Sequence, residues 1–159
     1  MKDVLSLFKS FVYAFKGFGW MVTHERNFRI HLTCLIYMFY YLLRYDFFAV
    51  SRTEFAILLL AAGLVIGGEM INSGIEKADD AVSKERKHTI EISKDVSAGA
   101  VLVFAVFAVL CGIVILWQPE AFKMLFDHYS ENPIYILWFV LSVVAFTLFI
   151  FKFEKKGKK

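Results

Sequence analysis

Turn-forming residues are scarce in this chain: two prolines and nine glycines among 159 residues give too few breaks for the many short strands of a soluble sandwich. Cysteine is equally sparse. Cys34 and Cys111 each lie inside an apolar run, far from one another, and the single His31 near Cys34 does not make a ligand set, which argues against a zinc or redox centre and for two small hydrophobes. The histidines His24, His31, His88 and His128 are scattered over separate segments and read as interfacial side chains. Residues 1–20 contain neither an uninterrupted apolar run nor a small-residue cleavage site, so no signal peptide is read there. The phosphate-binding pattern G-x-x-x-x-G-K-[ST] is missing, because the glycines at 63, 67 and 68 lead into Glu69 and Met70, and H-R-D and D-F-G are missing too. Soluble nucleotide-binding designs are thereby excluded. There is no internal repeat and no low-complexity segment besides a lysine-rich tail.

What the chain has in quantity is apolar surface: 58% of its residues are hydrophobic, mean hydropathy is +0.58, and eighteen are phenylalanine. That exceeds what one soluble core of this size needs, so the solvent implied is a bilayer and the fold class is all-α integral membrane. Residues 1–20 interleave Lys2, Lys9 and Lys16 with Val4, Leu5, Phe8, Phe11, Val12 and Phe15, which predicts an amphipathic helix on the membrane surface. Four spans follow, at residues 30–43, 55–75, 96–117 and 134–151, the first of them short. Gly63, Gly67 and Gly68 in the second span predict close backbone approach to a neighbour. Between the last two spans, Pro119 and Glu120 open a short helix with Phe122, Leu125 and Phe126 on one face.

Of the eighteen Lys and Arg residues, fifteen fall in the N-terminal segment, the loop between the second and third spans, and the tail; only Arg44, Arg52 and Lys123 fall elsewhere. The positive-inside rule then places both termini in the cytoplasm of a multi-pass protein of the bacterial inner membrane.

Chemistry concentrates where the second span ends, in E-M-I-N-S-G-I-E-K-A-D-D. At about 100° per residue, Glu69, Asn72, Ser73, Glu76 and Asp80 share one stripe. Glu69 lies roughly 12 Å inside the expected boundary, where an ionisable side chain is costly unless function or a partner retains it. Asp79 and Asp80 suit a solvated helix end. Two more acids converge on the same level: Glu25 before the first span and Asp95 at the start of the third. Such a set suits Mg²⁺, a hard cation that takes one or two carboxylates and phosphate oxygens and keeps several waters. Lys94, Arg26 and Arg29 supply positive charge for phosphate, and a carboxylate left in the membrane can accept the proton of a lipid hydroxyl. The alternative is a small ion- or proton-coupled transporter using Glu69 and Glu76, since proton relays present the same side chains. Against it, the acids lie at one interface and the outer half of the second span is apolar.

The run G-E-M-I-N-S-G-I-E-K-A-D-D, with E-R-N-F-R-I-H before it and K-D-V-S-A-G-A-V after it, resembles the prokaryotic diacylglycerol kinase and undecaprenol kinase family. The three motifs stand in the family's order and spacing, and the resemblance covers residues 1–117 as a lipid-kinase core of surface helix and three spans. It implies transfer of the γ-phosphoryl of ATP to a membrane lipid with Mg²⁺. Glu69 would be the catalytic base, Glu25 and Glu76 the carboxylates that hold Mg²⁺ with the nucleotide, and Asn72, Lys94 and Asp95 polar residues shaping the site. The Y-A-F-K-G stretch resembles the family's surface helix and so adds Tyr13 to the nucleotide contacts. The resemblance also implies a homotrimer with shared sites; a nucleic-acid partner is not expected. Gly74 stands where alanine is usual, and residues 82–93 lack the His-Pro pattern of many undecaprenol kinases, although E-R-N-F-R-I-H is spelled as in that branch. Residues 118–159, with a further loop, span and basic tail, exceed the three-span core.

Overall fold

A computed structural model of the chain describes residues 2–82 and 88–151. Lys84, Arg86 and Lys87 of the second loop and the five tail lysines, which entered the charge count, lie outside the described residues. Six helices follow one another: α1 (Lys2–His24), α2 (Arg26–Arg44), α3 (Arg52–Val82), α4 (His88–Leu116), α5 (Pro119–Glu131) and α6 (Pro133–Phe151). There is no strand among the described residues.

Three helices are long and apolar enough to cross a bilayer: α3 over Arg52–Ala81, α4 and α6. The chain is therefore an all-α integral membrane protein. The first of the four expected spans, α2, does not meet the same measure, because Arg26, Arg29 and His31 occupy its first two turns and four tyrosine and threonine residues lower its hydropathy. Its 19 residues, about 28 Å at ~1.5 Å per residue, nonetheless run beside α3 and α6 within the bundle. α2 and α3 extend beyond the predicted spans at both ends and α4 at its start, since helical pattern continues into the polar flanks that a hydropathy count leaves out.

The α3–α4 pair is the most extensive helix packing. On α3 the buried side chains are Leu58, Ala62, Val65, Glu69 and Ser73, spaced by four and three as one inward stripe, with Gly68 buried beside them. A carboxylate thus stands where the period calls for an apolar side chain. Of the three glycines, only Gly68 makes the predicted close approach: a Cβ there would lie 2.8 Å from Phe104 Cδ2, whereas Gly63 and Gly67 have open space around them. α6 has no buried residue and is apolar all round, as a helix solvated by lipid is. α1 leaves Leu7, Phe8, Phe11 and Phe15 exposed along one flank. The short helix predicted from Pro119 is present as α5, with Pro119 in its first turn, and Gln118 ties it to α2's exit by bonds with both backbone groups of Ala49 (3.0 and 3.2 Å).

Candidate functional site

The polar stripe of α3 grades outward from the bundle: Glu69 and Ser73 are buried, Asn72 and Glu76 half-buried, Asp80 exposed. Glu69, 5% exposed, has His31 of α2 beside it, Nε2 to Oε1 3.3 Å. A carboxylate so placed would be expensive alone. A protonated imidazole there offsets that cost as the carboxylate's ion-pair partner.

One turn further along, Asn72 links α3 to α4. Ser97 Oγ donates to Asn72 Oδ1 at 2.6 Å, which turns the amide so that Nδ2 donates to Glu76 Oε1 at 3.2 Å. The serine's single proton is shared with the Lys94 carbonyl (3.0 Å). Lys94 itself reaches back to α3 and pairs with Asp80, Nζ to Oδ1 2.6 Å. A ladder of hydrogen bonds and one ion pair therefore joins Glu76, Asn72, Ser97, Lys94 and Asp80 across the helix pair. Asp79 is less solvated than the sequence suggests, since its Oδ2 is shielded and lacks a hydrogen-bond partner.

The end of α1 overhangs this region. Tyr13, Gly17, Trp20 and His24 follow one face at spacings of four and three. Trp20 stacks on His24 (4.6 Å between rings), Lys77 Nζ lies 5.4 Å from the Trp20 ring centre, and a cleft of about 220 Å³ opens between Gly17, Trp20, Met21 and α3's Met70, Ser73 and Gly74. Glu25 then breaks the helix: it is the N-cap of α2, in extended conformation, and its carboxylate makes no capping bond.

Not all the predicted residues meet in one chain. Glu69, Asn72, Glu76 and Lys94 are brought together, whereas Tyr13 is 66% exposed on α1. Asp95 is exposed too, about 160° around α4 from Ser97, and lines a hollow with Ile90, Glu91 and Lys94. Arg29 does not face the site as a phosphate partner: it is 1% exposed and bonded to backbone carbonyls. His31, Ser97, Trp20 and Lys77 had been passed over. The signal for Trp20 was its register with Tyr13, and for His31 its place two residues after Arg29 in E-R-N-F-R-I-H; Ser97 carried no signal beyond small size.

No group of three or more His, Cys, Asp or Glu side chains is gathered for a metal among the described residues. The oxygen donors of Glu25 and Glu76 nevertheless fit a hard cation, and Mg²⁺ takes only one or two carboxylates where phosphate and water complete its shell.

Residues 12–116 match the family of prokaryotic diacylglycerol kinases. The undecaprenol kinase of Bacillus subtilis (strain 168) is 33% identical over 110 residues, which is 68% of this chain and 85% of that protein. The diacylglycerol kinase of Synechocystis sp. (strain ATCC 27184 / PCC 6803 / Kazusa) is 34% identical over 115 residues, 72% of this chain and 64% of that one. No solved structure matches. The matched segment ends with α4, so α5 and α6 stand outside it, while the α3–α4 ladder and the buried Glu69 lie within it. A bundle of membrane-crossing helices with these motifs and relatives makes the chain a membrane lipid kinase, a member of the prokaryotic diacylglycerol kinase family.

Proposed function

We propose that this chain transfers the γ-phosphoryl group of Mg-ATP to the hydroxyl of diacylglycerol or undecaprenol, with Glu69 as general base. The observation that carries the reading is Glu69 itself, a buried carboxylate in the apolar stripe of α3, at the level where the hydrogen-bonded ladder of Asn72, Glu76, Ser97 and Lys94 begins. In this reading a lipid hydroxyl reaches it from the bilayer side and the nucleotide from the water side. Glu69 accepts the hydroxyl proton as the lipid oxygen attacks the γ-phosphorus, and ADP departs. Glu25 and Glu76 would hold Mg²⁺ with the nucleotide, and the ion would supply positive charge against the phosphates. Asn72, oriented by Ser97, holds Glu76 in place. Lys94 balances phosphate charge in competition with Asp80, and Tyr13 contacts the nucleotide from α1.

The spelling E-R-N-F-R-I-H favours undecaprenol over diacylglycerol. The outward-facing Asp95 and exposed Tyr13 suit a site completed by a second copy, as in a homotrimer. The distribution of basic residues supports a cytoplasmic site with both termini on the same side.

Glu69→Gln tests the mechanism, because it keeps the side chain's shape and hydrogen-bonding capacity but takes no proton. It should insert and bind Mg-ATP as the parent does, while kcat falls by at least about a hundredfold, the low end of what a positioned base contributes. Near-parental turnover with a lipid acceptor would reject Glu69 as base and make Asp95 the next candidate.

A further inference from the structure

Arg29 is the largest fully buried side chain of the described residues. It sits in the first turn of α2, where a cation is disfavoured by the helix dipole, so something outside α2 has to compensate for it. Backbone carbonyls of two other helices contribute. Nε and Nη2 donate to the Ile150 carbonyl of α6 at 3.0 and 2.8 Å, and Nη1 donates to the Val22 carbonyl at 3.2 Å, in the last turn of α1. Carbonyls in the last turn of α1 lack intrahelical partners and carry the negative end of its dipole. A planar guanidinium, with its several donors, can serve both helices at once, and an ammonium cannot.

Three helices are thereby fixed at one point. Val22 lies two residues after Trp20 and three before Glu25, so whatever holds the Val22 carbonyl sets the corner carrying Glu25. Arg29 also binds that corner through its own backbone, its amide donating to the Glu25 carbonyl at 3.3 Å. Thr33 Oγ1 in turn donates to the Arg29 carbonyl at 2.8 Å. Meanwhile Ile150 belongs to the helix outside the family-matched segment.

We infer that Arg29 is a positioning residue for the nucleotide end of the site, and that α6 acts on that end through it, its Ile150 carbonyl holding the guanidinium that holds the last turn of α1. The added helix is then part of the working unit. The inference rests on the kinase reading for its effect on nucleotide, but the clamp itself is independent of it.

The experiment uses the full-length chain with Val22→Cys and Ile150→Cys on a Cys34→Ser, Cys111→Ala background, and a short bifunctional thiol crosslinker. Adding Arg29→Met should raise the KM for Mg-ATP about tenfold, the loss of one charge-assisted hydrogen bond, with kcat within about twofold. Linking residues 22 and 150 in that variant, followed by gel shift, should return KM to within about twofold of the parent, because a covalent tie replaces the clamp. A parental KM in unlinked Arg29→Met, or a raised KM that linking leaves unchanged, overturns the inference. If Arg29→Met does not accumulate in the membrane, Arg29→Lys, which keeps charge without the fork, carries the same comparison at about threefold in KM. Should the parent phosphorylate no lipid, the kinase reading falls, and the clamp is still judged by linking rate: about tenfold slower in Arg29→Met upholds it, an equal rate rejects it.

Discussion

The two ends of the helix bundle solve the problem of polar groups in lipid differently. At the end formed by the α1–α2 corner, the second half of α3 and the start of α4, the groups are ionisable: Glu69 beside His31, Glu76 on Asn72, Asp80 on Lys94. At the opposite end, where α2 meets α5 and α6, the hydrogen-bonded pairs are neutral hydroxyls. Tyr41 and Tyr129 share a hydrogen bond of 2.6 Å and Tyr37 and Ser142 one of 2.8 Å, beside a cavity of about 390 Å³ lined by Tyr45 and Tyr135, and charged or ionisable groups there, Arg44 and His128, lie against the Tyr45 ring. Hydroxyl pairs satisfy each other and need no further ligand. Carboxylates held near a bilayer do need something, which is why the proposed chemistry is assigned to the first end.

That contrast can be broken or sharpened by substitution. The largest change, the loss of turnover in Glu69→Gln, falls at the ionisable end. Next come Glu25→Gln and Glu76→Gln: each should weaken apparent affinity for Mg-ATP at least about tenfold while leaving the fold nearly intact, as expected when one of two carboxylates is removed from a magnesium site. Titrating Mg²⁺ at fixed ATP checks this, and an unchanged magnesium dependence in both variants removes them from the site. Ser97→Ala should cost about fivefold in kcat/KM, the worth of one neutral hydrogen bond, because the Asn72 amide is then free to turn away from Glu76. At the neutral end, Tyr41→Phe should lower stability by about 1 kcal/mol with kcat within about twofold, as thermal unfolding in detergent and a turnover assay would record. A loss of turnover from Tyr41→Phe larger than that from Ser97→Ala would erase the division between the ends.

Much of this was legible in the sequence. Helix order, the surface helix and the short helix at Pro119 follow from composition and periodicity, and the stripe from Glu69 to Asp80 follows from helical spacing. The residues that escaped are those whose meaning is tertiary. Arg29 looked like a cation for phosphate because sequence gives charge but not burial, and its partners include carbonyls 7 and 121 residues away. His31 looked interfacial because its partner Glu69 is on another helix. Asp95 sits in the right motif, yet helical geometry turns it away from Ser97 within one chain. The shortfall of α2 as a span has a similar origin, since its polar first turns are satisfied by α1, α3 and α6 instead of by water.

The central claim, that the phosphoryl acceptor is a lipid hydroxyl, is tested most directly by following phosphate. Purified full-length protein in vesicles, given Mg-ATP labelled at the γ-position and either diacylglycerol or undecaprenol, should form labelled lipid phosphate in step with ADP, with undecaprenol the better acceptor. ADP accumulating with no label in either lipid, or no ADP at all, would contradict it.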